Sequence, residues 1–125
     1  MVKSLTAIGV AVLLLLGLGI FEWYYVHDQF SAFNEELTSL YNKAEAETAN
    51  VEDARAVFAS WEERKQHLHV WIPHNDITRI DDYLAEAVQL IEEEEFSLAL
   101  AKLEILLHLS KTVPGTYEPG LENIF

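Results

Sequence analysis

The chain has 125 residues, half of them apolar, and its 21 acidic against 8 basic residues give a net charge of −13. A surface of that sign is repelled by nucleic-acid phosphates, which excludes nucleic acid as a partner. The absence of cysteine excludes thiol chemistry and disulfide support, so any folded domain must stand on its packed core.

The first element is an apolar run over residues 5–20 that continues through Phe21 and, past Glu22, into Trp23, Tyr24, Tyr25 and Val26. Its 22 residues reach roughly 33 Å as a helix, enough to cross a hydrocarbon core of about 30 Å. The sequence therefore predicts a single transmembrane anchor over residues 1–26, with Trp23, Tyr24 and Tyr25 as an aromatic interface belt. Lys3 precedes the run, and no basic residue follows it before Lys43, which places the N-terminus in the cytoplasm and the remaining domain outside the cell membrane. Gly17 and Gly19 also have the spacing that a signal peptidase reads. Against cleavage stand the very short segment before the run and the aromatic start that a mature chain would carry.

Residues 27–125 read as one extracytoplasmic acidic domain, carrying 7 of the 8 basic and 20 of the 21 acidic residues. Val26, Phe30, Phe33, Leu37, Leu40, Tyr41 and Ala44 recur every three or four positions, the stripe of an amphipathic helix. No glycine or proline separates this stripe from the apolar run, so the anchor is expected to pass directly into the first domain helix. Asn50 and Asp53 have the spacing of a helix cap and its partner three residues on. A second helix is expected from Val51 to about Val70, buried through Ala54, Val57, Phe58, Trp61 and Leu68, and ended by Pro73 with an extended corner at Trp71 and Ile72. Asn75 or Asp76 should cap a third helix whose face is Ile77, Ile80, Leu84, Ala87, Val88 and Ile91.

The run Glu92, Glu93, Glu94 and Glu95 suits a helix start better than a helix end, so a turn is expected near Glu94 with Ser97 opening the last helix. That helix has Leu100, Leu103, Leu106, Leu107 and Val113 on its face and should stop at Pro114-Gly115. The fold class is therefore all-α: an N-terminal transmembrane helix followed by an antiparallel bundle of about four helices.

The polar residues form no constellation that names a reaction. There is no phosphate-binding glycine loop, no zinc-protease motif and no nucleophile elbow, and the expectation is a non-enzyme without cofactor. Glu63 with His67 and Glu104 with His108 are i,i+4 pairs, one residue wider than the Glu-x-x-His spacing of di-metal bundles, and read as surface pairing rather than as metal sites. His74, between Pro73 and Asn75-Asp76, can fix the corner through a neighbouring carbonyl or offer a ligand together with Asp76. Leu121, Ile124 and Phe125, separated by Glu122 and Asn123, form an apolar tail that either folds back on the bundle or docks on a partner.

The apolar N-terminal helix, Trp61 in the second domain helix, the turn running into His74-Asn75-Asp76-Ile77 and the closing Leu121-Glu122-Asn123-Ile124 together resemble domain-of-unknown-function family 4363, small single-pass membrane-anchored proteins of Gram-positive bacteria. The resemblance spans nearly the whole chain. It implies a membrane-anchored helical domain working beside a multi-pass membrane protein, and it assigns no activity. The expected function is thus a non-enzymatic accessory or interaction subunit of a bacterial membrane protein complex. It touches lipid through the anchor and has an integral membrane protein as partner. The alternative is an extracytoplasmic cation-binding or pH-sensing domain using His74, Asp76 and Glu92 to Glu95.

Overall fold

The structure, a computed structural model, describes residues 2–116. It contains four helices, α1 (Val2–Glu45), α2 (Val51–Leu68), α3 (His74–Glu92) and α4 (Phe96–Thr116), and no strand among the described residues. Each packs on the next, and α4 closes the ring against α1, giving an antiparallel up-and-down bundle.

The apolar segment and the first domain helix are one element. α1 has 44 residues, roughly 66 Å at helical rise, and no residue breaks it. Residues 2–21 are all exposed, whereas Val26, Phe30, Phe33, Leu37, Leu40 and Ala44 are buried. The apolar segment therefore projects from the bundle, and the same helix then supplies one wall of its core. Being apolar all round, it is long and apolar enough to cross a membrane.

The core centres on Trp61, which is fully buried. Its indole stacks on Phe33 of α1 at 4.8 Å between centroids and 26° between planes, with Phe30 tilted against it at 6.2 Å. On the other side, Nε1 donates to Asp81 Oδ1 of α3 at 2.7 Å, so the one polar atom of the ring keeps a partner. Ile80, Leu84, Ala87 and Ile91 of α3 and Ala99, Leu103, Leu106, Leu109 and Val113 of α4 complete the packing. Leu100 and Leu107, expected on the buried face of α4, are only partly covered, and the stripe is rotated toward Ala99 and Leu109.

The helix ends show where local signals sufficed. Asn50 and Asp53 form the anticipated capping box. Asp53 N–H donates to Asn50 Oδ1 at 2.8 Å, and Asn50 N–H donates to Asp53 Oδ2 at 3.1 Å. By contrast, α3 starts at His74 with Pro73 in the cap position, so neither Asn75 nor Asp76 is the cap. The fixed φ of proline (−55° here) and its carbonyl, which accepts from Asp76 and Ile77 N–H, start the helix two residues earlier. α2 stops at Leu68, short of Val70, and the corner is a turn rather than an extended segment. Trp71 and Ile72 N–H both donate to the Leu68 carbonyl, and Pro73, at φ −55° and ψ 140°, then leads into α3.

Pro114 does not stop α4, which runs on to Thr116. Proline costs a bond to the carbonyl four residues back, but Val113 and Pro114 are both buried, and their packing holds the last turn. The final helix opens at Phe96, one residue before the expected Ser97.

α1 and α3 end in the same way. Glu47 and Glu94 both have φ of 59°, the left-handed conformation that closes a helix. Thr48 N–H reaches the Lys43 carbonyl and Glu95 N–H reaches that of Leu90, each at 2.8 Å. The glutamate tract thus straddles the turn: Glu92 ends α3, Glu94 takes the left-handed position, and the Glu95 carbonyl receives the first bond of α4 from Ala99.

Two outcomes follow. Trp61→Ala should lower unfolding free energy by about 3–5 kcal/mol in a denaturant titration followed by circular dichroism. Glu94→Gly should raise it. Relief of the left-handed cost of roughly 1–2 kcal/mol exceeds the added unfolded-state entropy of roughly 0.4–1, leaving a net gain of about 0.5–1 kcal/mol. A lower melting temperature for Glu94→Gly would contradict this account of the turn.

Candidate functional site

Polar side chains that border the buried stripes meet at the end of the bundle nearest the apolar segment. Arg64 lies one helical turn from Trp61 on α2, so it flanks the seam with α1. Its Nη1 donates to Gln29 Oε1 at 2.7 Å and its Nη2 to Glu36 Oε1 at 2.8 Å, and Ser60 Oγ donates to the same carboxylate oxygen at 3.0 Å. Beside this network a cleft of about 290 Å³ opens, lined by Tyr25, Gln29, Ser60, Glu63, Arg64 and His67. Glu36 Oε2 and Arg64 Nε are buried without a partner among the described residues. The Ser60 hydroxyl is committed to Glu36. What the network accomplishes is charge neutralisation and a fixed register between α1 and α2.

A second network lies on the α3 side. Lys65 Nζ bonds Glu62 Oε1 at 2.9 Å and the Asp81 carboxylate at 3.2 and 3.3 Å, and Asp81 also receives the Trp61 indole. Burial alone would lower the Lys65 pKa, but the hydrogen bonds it donates to Glu62 and Asp81 outweigh it and hold the ammonium above the ordinary lysine value. At the opposite end of the bundle, the Asn50 backbone bond, and then Lys43 at 3.2 Å, hold Asp53 below the usual carboxylate range. Between α1 and α4, Asn34 Nδ2 donates to the buried Ser110 Oγ at 2.7 Å, and Ser110 in turn donates to the Leu107 carbonyl.

His74 and Asn75 are exposed in the first turn of α3. The His74 ring meets Thr78 Oγ1 at 3.5 Å within its own helix instead of a corner carbonyl, and Asp76 pairs with Arg79. The corner is held by the Leu68 carbonyl and by burial of Ile72 instead. Glu93, Glu94 and Glu95 gather with Glu47 around a recess of about 340 Å³ at the far end. The 19 residues of α3, roughly 28 Å, separate that recess from His74 and Asp76, so the two groups cannot share one ion. Glu63 and His67 both line the cleft. Glu104 and His108 are exposed on α4. His27 stacks on Trp23 at 4.2 Å, with Nδ1 2.8 Å from the Trp23 carbonyl. Among the described residues no three His, Asp or Glu side chains converge as metal ligands. Leu121, Glu122, Asn123, Ile124 and Phe125 lie outside the described residues.

The Arg64 network was missed in the sequence because Gln29, Glu36 and Ser60 are unremarkable surface types. The available signal was positional, since each sits beside a stripe residue.

The sign of the Lys65 shift fixes its pH dependence. The stability it adds is fully present below the ordinary value of 10.5 and is lost as pH rises through the higher folded-state value. The difference in melting temperature between the parent chain and Lys65→Met should therefore hold from neutral pH to about 10.5 and shrink above it. For Asp53, with its lowered pKa, the contribution is present above 3.8 and lost as pH falls below it. Melting temperatures of Lys65→Met and Asp53→Asn, each compared with the parent chain across pH, check each sign.

A family model described as a domain of unknown function (DUF4363) matches residues 20–124. No curated protein and no solved structure matches the chain.

Proposed function

This chain belongs to that family, and from that premise we propose that it is a non-enzymatic, membrane-anchored accessory or interaction subunit of a membrane protein complex. The observation that carries the reading is the unbroken course of α1: residues 7–21 form an exposed run without a polar side chain, and the second half of the helix is a wall of the bundle core. Among the described residues nothing covers residues 2–21, which suits lipid and the transmembrane helices of a partner. Arg64, Lys65, Lys43 and Asn34 each tie one helix to another, which suits a rigid presenting body. Lys3 on one side of the apolar segment, and the concentration of negative charge on the other, support a cytoplasmic N-terminus with the bundle outside the cell membrane.

The absence of cysteine makes topology directly testable. Single cysteines introduced at exposed Leu98 should react with a membrane-impermeant maleimide on intact cells. For the function itself, full-length protein purified in mild detergent should bring down one multi-pass protein in stoichiometric amount. A partnerless preparation would overturn the accessory role. In that case the cation- and pH-sensing alternative predicts melting shifts with divalent ions or across the histidine range, which the accessory role does not.

A further inference from the structure

We infer that the α2–α3 corner is a second membrane contact, in which Val70 and Trp71 enter the lipid interface beside the anchor. The inference rests on the anchoring proposed above and adds a surface to it. Because α1 and α2 are antiparallel, residues that face each other mark a common height. Lys43 meets Asp53 at 3.2 Å far from the apolar segment, Glu36 meets Ser60, Gln29 meets Arg64, and Tyr25 shares its cleft with His67. α2 ends at Leu68, one residue past His67, and Val70 follows in the turn, near the height of Tyr25 and its neighbours Trp23 and Tyr24.

The side chains at that height suit an interface. Among the described residues of the bundle, Val70 is the most exposed large aliphatic side chain at 67 %, compared with Leu98 at 53 % and Ile105 at 36 %. Trp71 packs partly on the core and keeps part of its ring outside. Ile72 is buried, so the turn is braced from within while Val70 points away from the core. An aliphatic and an indole at the depth of an existing aromatic belt match the chemistry of the headgroup–acyl boundary. The strongest negative charge, at Glu47 and Glu93 to Glu95, lies at the opposite end, so this approach does not bring it to the bilayer surface.

The test uses the full chain in phosphatidylcholine nanodiscs, with one nitroxide at a time on Leu14→Cys, Val70→Cys or Leu98→Cys. All three side chains are exposed, so labelling leaves the core intact. Relaxation by dissolved oxygen is compared with relaxation by an aqueous nickel chelate. The expected result is lipid-type accessibility at 14 and 70, with an oxygen-to-nickel ratio several-fold higher at 70 than at 98. Lipid-type values at 14 with water-type values at 70 would overturn the corner contact and leave the anchor standing. Water-type values at all three would overturn both.

Discussion

The placement of the helices depends on one aromatic side chain. Trp61 comes from α2, lies flat on Phe33 of α1 and passes its N–H to Asp81 of α3, so a single rigid ring sets both the spacing and the height of three helices. An indole that is fully buried must satisfy its donor, and the partner it has found is itself held by Lys65. The polar chain from Trp61 through Asp81 to Lys65 and Glu62 therefore begins in the core and finishes at the surface. Shifting α2 by one turn would separate the stack from Phe33 and leave both the indole N–H and the Asp81 carboxylate without their geometry.

The seams between helices repeat the pattern in milder form. Arg64 bridges to Gln29 and Glu36, Asn34 to Ser110, and Lys43 to Asp53. Each joins α1 to a neighbour, which registers α2 and α4 against α1, while Asp81 registers α3 against α2. These ties are half-exposed for the most part, so each contributes little free energy. Their effect is on alignment: apolar stripes alone tolerate sliding by a turn, and directional bonds at the seam do not.

Much of this architecture was readable in the sequence, for reasons that are local. The stripe from Val26 to Ala44 declares a helix and its inner face through spacing alone, and the Asn50–Asp53 box needs only residues three apart. Features set by neighbours elsewhere in the chain were not readable. Pro114 stays within its helix because it is buried, beside a recess that it shares with Phe30 and Asn34 of α1. Glu94 accepts a left-handed backbone because the flanking helices must reverse there, although glycine is the residue expected. His74 and Asp76 resembled a cap and a ligand pair, yet Pro73 had already begun the helix, so Asp76 turned to Arg79. The Arg64 network had no signature beyond position, since arginine beside an apolar stripe is usually a solvated residue.

The absence of any joint in α1 has a mechanical consequence. Between Phe21 and Glu45 the helix continues for 24 residues, about 36 Å, without glycine, proline or a break. A transmembrane helix typically leans about 20° to match its hydrophobic length to the bilayer. Along a lever of this length, such a lean carries the far tip of the bundle sideways by about 12 Å. On the proposed anchoring, membrane thickness is thereby translated into the lateral position of the tip that carries Glu47 and Glu93 to Glu95.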